Sequence, residues 1–128
     1  MLHRVIYASE AVGATASSTL SLAQILGESD RNNRRDRISG CLMIHQGHIL
    51  QALEGGRADL DRLMRRLNAD PRHTGLRVLS DTPIADRRLP DPMSLCGDPA
   101  VMLERIGLPC ISLITANDVE VLLDLKAA

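Results

Sequence analysis

Two polar side chains lie where the sequence predicts buried, apolar faces. Gln51 falls between Ile49 and Leu53 on one face of a strand-like run, because strand residues alternate between the two faces of a sheet. Tyr7 lies in the middle of another strand-like run, and its ring favours burial while its hydroxyl requires a partner. A buried polar group without a partner costs about 1–3 kcal/mol. A primary amide offers both donors and an acceptor, so Gln51 suits a ligand edge that presents both kinds of group.

A third and a fourth polar group extend the apolar stripe of a predicted helix. Leu22, Ile25 and Leu26 follow helical spacing, and Ser29 and Asn33 continue the same face. Simpler interpretations stay open for all of these residues. Ser29 and Asn33 also suit the solvated end of a helix, Gln51 also suits a contact with neighbouring backbone, and a lone core tyrosine is usually structural.

Histidine and cysteine give weaker indications of chemistry. His45, His48 and His73 could act as a base or bind a metal, but His45 and His48 flank a predicted tight turn, where solvated histidines are common. The sequence therefore does not favour a catalytic or metal site there.

The three cysteines, Cys41, Cys96 and Cys110, are odd in number and lack the close spacing of zinc ligands. They predict neither a disulfide framework nor a metal site, and we expect buried or unreactive thiols.

Hydrophobic periodicity predicts the elements that position these residues. A helix is expected to begin at Ser17 or Ser18, and Leu60, Leu63 and Leu67 mark a second amphipathic helix. A first strand is predicted over 3–9. The ranges 38–44 and 48–54 are predicted to form a hairpin with its turn at 46–47. The ranges 76–79 and 82–85 are predicted to form either one strand or a bent pair. The stretch 89–93 is expected to be a loop or a short edge strand because it holds two prolines.

The resulting order is strand, helix, strand, strand, helix, strand. It predicts an α+β fold, the ferredoxin-like βαββαβ sandwich, in which two helices cover one face of a mostly antiparallel sheet. Two further helices, over 99–106 and 117–125, would be appended to it and would cover the other face.

Length and composition exclude several classes of protein. At 128 residues the chain suffices for one core, and its formal net charge of -1 gives no positive field to attract nucleic acid or an anionic membrane. Without a signal-peptide core or a spanning helix, a cytoplasmic location is expected. Phe and Trp are absent and Tyr7 is the single tyrosine, which excludes an aromatic platform for stacking bases.

The motifs taken together resemble a known family. The motifs are the run Arg4 to Ser9, the residue Asn33, and the runs Ile38 to Leu42, Gly47 to Gly55 and Asp70 to His73. In order and spacing they are similar to the BLUF family of blue-light sensors that use FAD. The resemblance covers roughly residues 1–95. It implies the same ferredoxin-like fold, with the flavin between the two helices and against the sheet.

The resemblance also implies roles for individual residues. Tyr7 would donate an electron and a proton to the photoexcited flavin, and Gln51 would bridge Tyr7 to flavin N5 and O4. Asn33 would hold the pyrimidine edge of the ring. Ser29, Arg72 and His73 match positions near the cofactor in the family, and Leu42 and Ile49 would line the flavin ring. Met93 is the candidate for the signal-transmitting methionine; it is displaced from the family's spacing, and the Trp that the family has near it is absent.

We therefore expect a stand-alone, non-enzymatic photoreceptor that binds FAD and signals to an unidentified downstream protein. Residues 1–95 would form the BLUF-like flavin-binding domain, and 96–128 a helical extension packed on the same domain. Apolar Met102, Ile106, Leu122 and Leu125 on the appended helices favour a homo-oligomer. The alternatives are a degenerate BLUF-fold interaction module that no longer binds flavin and a small enzyme.

Overall fold

Five strands form a single sheet. In the computed structural model, which describes residues 1–12 and 19–127, they are β1 (Leu2–Ala11), β2 (Ser39–His45), β3 (His48–Gly56), β4 (His73–Ile84) and β5 (Ser94–Leu95). The order across the sheet is β4-β1-β3-β2-β5. Neighbouring strands run antiparallel except β5, which pairs with β2 in parallel. The predicted α+β, ferredoxin-like arrangement is confirmed, with β5 added at one edge.

Four helices cover the two faces of this sheet. They are α1 (Thr19–Asp36), α2 (Arg57–Ala69), α3 (Pro99–Arg105) and α4 (Ala116–Ala127), and a short 3-10 turn at Ile111–Leu113 lies between the last two. The apolar stripe of α2 packs through Leu60 on Val5 and Leu53, and its arginines point to solvent. Alternation along the strands sends Ile6 and Ala52 to the opposite face, where they pack with residues of α3 and α4.

The hairpin of β2 and β3 has the two-residue turn that the sequence predicts. Gln46 and Gly47 both have positive φ, 50° and 78°. Two positive φ values in succession give the backbone twist that matches the twist of paired strands. The turn sets the register that places Leu42 opposite Gln51.

Three sequence-based boundaries have different outcomes. Of the two alternatives for 76–85, one continuous strand is found: β4 spans the whole region and absorbs two register shifts against β1. Pro83 is tolerated within it because β4 is an edge strand. The helix α2 begins directly after Gly56 without an intervening loop. The expected N-cap at Ser17 or Ser18 lies outside the described residues.

Each appended helix buries apolar residues against the sheet and leaves an exposed valine, Val101 on α3 and Val121 on α4. Leu122 is buried there, and Met102 and Ile106 pack against the same cluster. These positions were expected to favour self-association, but in the monomer they already cover the sheet. The side chain of Leu125 lies outside the described part of the chain, and a homo-oligomer stays a prediction. A cavity of about 280 Å³ lies between this face of the sheet and the two helices.

Across residues 1–12 and 19–127, the helices are too short or too polar for any of them to span a lipid bilayer.

Truncation of Leu103 should destabilise the sheet and the appended helices together. Leu103 is 2% exposed and belongs to the cluster that joins α3 to the sheet. Leu103→Ala should lower the free energy of unfolding by about 2–5 kcal/mol, because it removes buried methyl groups and leaves a cavity. Urea unfolding followed by circular dichroism should show a single transition at a lower midpoint. Val101→Ala is the matched control on the same helix: Val101 is 49% exposed, so its change should stay within about 0.5 kcal/mol.

Candidate functional site

Tyr7 and Gln51 form a hydrogen-bonded pair in the middle of the sheet. The two residues lie directly opposite each other on β1 and β3, and the Tyr7 hydroxyl donates to Gln51 Oε1. Their exposed fractions are 3% and 6%. The amide oxygen of Gln51 is therefore satisfied by a side chain rather than by neighbouring backbone. A phenol and an amide share one face of the sheet, below the helices α1 and α2.

The amino group of Gln51 has a much weaker partner than its oxygen. Gln51 Nε2 contacts Met93 Sδ at 3.8 Å. A thioether is a weak acceptor, and an amino group carries two N–H bonds. The buried amide thus keeps spare donor capacity.

Asn33 is buried near the C-terminal end of α1. It is 2% exposed, and its Nδ2 donates to the carbonyl oxygen of Pro92 at 2.6 Å. The backbone carbonyl oxygen of Asn33 accepts from the backbone N–H of Ile38 at 2.9 Å. The helix end is therefore not solvated at this residue, unlike the simpler interpretation of the sequence.

His73 is held in a fixed orientation beside Tyr7. Its Nε2 lies 2.5 Å from the carbonyl oxygen of Leu67, and its Nδ1 lies 2.8 Å from Ser9 Oγ. A carbonyl oxygen can only accept, so Nε2 carries a hydrogen, and in a neutral ring Nδ1 then accepts from the Ser9 hydroxyl. The ring centroids of His73 and Tyr7 are 6.1 Å apart.

A charged cluster joins α1 to the turn between α2 and β4. Arg72 donates through Nε and Nη2 to the Asp70 carboxylate, with Nη2 2.6 Å from Oδ2, and its Nη1 lies 3.0 Å from Glu28 Oε2 on α1. These hydrogen bonds hold the pKa of the Asp70 carboxyl below its usual range and raise the pKa of the Arg72 guanidinium. Asp70 and Arg72 are therefore charged at neutral pH, and Arg72 bridges Asp70 and Glu28.

These elements enclose a narrow cavity of about 60 Å³. Seven of the residues predicted as site residues line it: Tyr7, Ser29, Leu42, Ile49, Gln51, Arg72 and His73. Asn33 and Met93 lie beside it and connect to it through Pro92 and Gln51. Four further residues line the cavity without a site role predicted from the sequence: Ile25, Ile44, Leu67 and Asp70. Strand alternation from Leu42 and the helical stripes could have identified the three apolar ones.

The hydroxyl of Tyr7 is kept neutral by its surroundings. Burial, and secondarily the negative charge of Asp70, raise the pKa of Tyr7 far above its ordinary value. The phenol therefore stays a hydrogen-bond donor to Gln51 throughout the neutral pH range.

The remaining histidines and cysteines do not converge. His45 and His48 pair across the β2–β3 turn. Among the residues that the structure describes, no group of three or more His, Cys, Asp or Glu side chains is placed to hold a metal ion. Cys41, Cys96 and Cys110 are partly buried and are not joined by disulfides.

Comparison with known families and proteins agrees with this geometry. The model of the family described as "BLUF: Sensors of blue-light using FAD" matches residues 2–93. A photoactivated adenylate cyclase subunit beta from Euglena longa is 32% identical over 90 residues, which are 70% of this chain and 10% of that protein. The chain thus spans about a tenth of the length of the curated relatives it matches.

Solved structures share the architecture. The dark-state structure of BlrB, described as a BLUF protein, superposes with a TM-score of 0.82 at 30% identity and covers 98% of this chain and 95% of its own. The photo-activated state of BlsA gives a TM-score of 0.86 at 21% identity, over 99% of this chain and 95% of that one, which shows the fold alone. A bacterial light-regulated adenylyl cyclase gives 0.74 at 32% identity, over 83% of this chain and 32% of that one.

The raised pKa of Tyr7 makes the folded protein sensitive to alkali. The unfolded phenol titrates near pH 10, whereas the folded one titrates higher. The stabilisation that the neutral Tyr7 phenol contributes to the folded state is therefore fully present below about pH 10, and it is lost as pH rises towards the folded pKa. Because the chain holds one tyrosine and no tryptophan, the ultraviolet phenolate band of the flavin-free protein reports Tyr7 alone.

In the folded protein, the phenolate band should appear only together with loss of the circular dichroism signal. In urea it should appear with a midpoint near pH 10. A midpoint near pH 10 in protein that keeps its dichroism would contradict the buried, neutral phenol.

Proposed function

The chain belongs to the BLUF family of sensors of blue light using FAD, and from this premise we propose that it binds oxidised FAD in the cleft between α1, α2 and the sheet. Light would then be registered as a change in the hydrogen bonds of Gln51. The output would be a signal to another protein and not the turnover of a substrate.

The spare donor capacity of the Gln51 amide carries this proposal. A buried amino group whose contact is a sulfur at 3.8 Å is poorly satisfied by the protein alone. A ligand edge with acceptor atoms, such as the flavin ring with N5 and O4, would satisfy it. Asn33, Ser29, Arg72 and His73 are the other polar side chains that we assign to the cofactor.

The lining of the cleft suits a flat, largely apolar ring system. Leu42, Ile44, Ile49 and Leu67 give it aliphatic walls, and the remaining lining includes polar groups. Its volume of about 60 Å³ is well below the roughly 300–1,000 Å³ of ligand pockets. Binding would therefore part α1 from α2, and the Glu28–Arg72 ion pair is the contact that must lengthen or rearrange.

The Tyr7–Gln51 pair would do the chemistry. When bound, the flavin would supply the absorption of blue light and an acceptor for one electron. Tyr7 would give up an electron, and its proton would leave along the hydrogen bond to Gln51 Oε1. When both return to Tyr7, the Gln51 amide would be left rotated or tautomerised, so electrons and protons balance and no product forms.

The extent of the match to BlrB supports a light-sensing role for the chain as a whole. That BLUF protein and this chain cover each other almost completely. The cyclase activity named for other relatives belongs to proteins of which this chain matches about a tenth. We propose a separate downstream protein as the receiver of the signal.

A second candidate is a BLUF-fold interaction module that does not bind flavin. The narrow cleft favours it, as does the absence of Phe and Trp from the chain. The buried Tyr7–Gln51 pair argues against it, because a purely structural core gains little from a poorly satisfied amide.

The visible spectrum separates the two candidates. Protein purified in the dark, or loaded with FAD, should show flavin bands that shift slightly to the red under blue light and return in the dark. FMN and riboflavin offered in parallel test whether the adenylate part contributes to binding. A protein that stays colourless after exposure to all three flavins would refute the proposed function and support the interaction module.

Removal of the Tyr7 hydroxyl should abolish the reversible red shift and leave flavin binding intact. Tyr7→Phe keeps the ring but removes both the proton and its route to Gln51. Thr82→Val, an exposed substitution on β4 that also removes a hydroxyl, is the control and should respond as the unmodified protein does. A full shift in flavin-loaded Tyr7→Phe protein would show that the mechanism is wrong although the cofactor is bound.

A further inference from the structure

Glu54 is the most deeply buried charged residue of the sheet, and the proposed photochemistry does not use it. Its exposed fraction is 0%. It lies opposite Arg4 in the β1–β3 register, and its Oε2 accepts from Arg4 Nε at 2.9 Å and Nη2 at 2.6 Å. The residue lies on the face that α3 and α4 cover, opposite to the face of Gln51, since three positions along a strand change the face.

The same carboxylate holds the segment that follows β4. Glu54 Oε1 accepts from the backbone N–H of Arg88 at 2.9 Å and of Leu89 at 2.8 Å. Arg87 adds two hydrogen bonds in the same region: its Nη1 lies 2.9 Å from the Glu54 carbonyl oxygen and 2.8 Å from Ser39 Oγ. A carboxylate has about four acceptor positions. In Glu54 the Arg4 guanidinium and the backbone N–H groups of Arg88 and Leu89 occupy them.

From this anchor the segment crosses to the other face of the sheet. Leu89 packs in the cluster under α3 and α4, whereas Met93 packs with the cluster under α2. Between these two residues, the carbonyl oxygen of Asp91 accepts from Gly40 N at 3.0 Å, and that of Pro92 accepts from Asn33 Nδ2. The crossing segment, residues 87–93, thus ends at Met93 Sδ against Gln51 Nε2.

The segment has little freedom at its far end. A Cβ on Gly40 would lie 3.3 Å from Met93 Cε and 3.0 Å from Leu53 Cδ2. Such distances are tighter than ordinary van der Waals contact, so Met93 fills the space above Gly40. The segment is thus held at its far end by contacts with Gly40 and Asn33 and at its start by Glu54.

We propose that Glu54 is a positioning residue for the light response. By holding the N–H groups of Arg88 and Leu89, it sets the path of the crossing segment and so the contact between Met93 and the Gln51 amide. The proposal rests on the proposed function, because it assigns Glu54 an effect on the rearrangement of Gln51. It acts from the opposite face of the sheet and does not touch the cofactor cleft.

Glu54→Gln tests the proposal in the flavin-loaded protein. The variant keeps the shape of the side chain, but it loses the charge that faces Arg4 and replaces one acceptor oxygen by an amino group. Dark recovery after illumination should change by at least about threefold. The methyl signal of Met93, observed by NMR with labelled methionine and assigned with Met93→Leu, should shift or split in the dark.

Asp81→Asn is the matched control. It also converts a paired carboxylate into an amide, since Asp81 Oδ1 accepts from Arg57 Nη1 at 2.6 Å, but it lies outside the crossing segment. Its recovery rate and Met93 signal should equal those of the unmodified protein. Loss of stability alone would lower the urea midpoint, but it would change neither the dark recovery rate nor the Met93 signal.

A folded, flavin-loaded Glu54→Gln protein with unchanged recovery and an unchanged Met93 signal would overturn the proposal. Glu54→Asp, which keeps the charge and shortens the reach by one methylene, gives the same test if the first variant does not fold. If the unmodified protein shows no light-induced shift, the proposed function fails by itself. The dark Met93 signal of the variants still decides whether Glu54 positions the segment.

Discussion

The antiparallel register of β1 against β3 fixes both polar pairs of the sheet. It places Tyr7 opposite Gln51 and Arg4 opposite Glu54, three positions apart and hence on opposite faces. A slip of one residue would send each side chain to the wrong face, and it would leave a buried carboxylate and a buried amide without their partners. Because such groups are costly to bury alone, the polar pairs specify the register as strongly as the apolar ones do.

The buried ion pair and the cleft are connected by the crossing segment. Glu54 holds its start under α3 and α4, and Asn33 and Gln51 meet its end under α1 and α2. On the outer side, Arg88 Nη1 lies 3.5 Å from Glu120 on α4. The Gln51 amide is thus linked to α4 through the Met93 contact, the covalent chain of the crossing segment and the Arg88–Glu120 ion pair, although the two ends of this link lie on different faces of the sheet.

The absence of large aromatic side chains shapes the cleft. Its walls are Leu and Ile side chains, which fill space well but offer no ring to stack on a planar ligand. Recognition of the proposed flavin would then come from the polar groups and from aliphatic contact with the flat faces of its ring. The same composition leaves Tyr7 as the single phenol of the chain. Because the chain has no tryptophan, the aromatic side chains that could give up an electron are Tyr7 and the histidines.

The sequence by itself determined the elements and the burial of Gln51, because the two-residue and 3.6-residue periods are local properties of the chain. Alternation between Ile49 and Leu53 was sufficient to place the amide inside. The tertiary structure decided what the amide meets: Tyr7 lies 44 residues away and Met93 lies 42 residues away. It also decided that β4 is one strand, that Met102, Ile106 and Leu122 pack on the sheet, and that Glu54 anchors a segment 34 and 35 residues downstream. No local pattern contains these distances, since they arise only when the sheet order brings β1, β3 and the chain after β4 together.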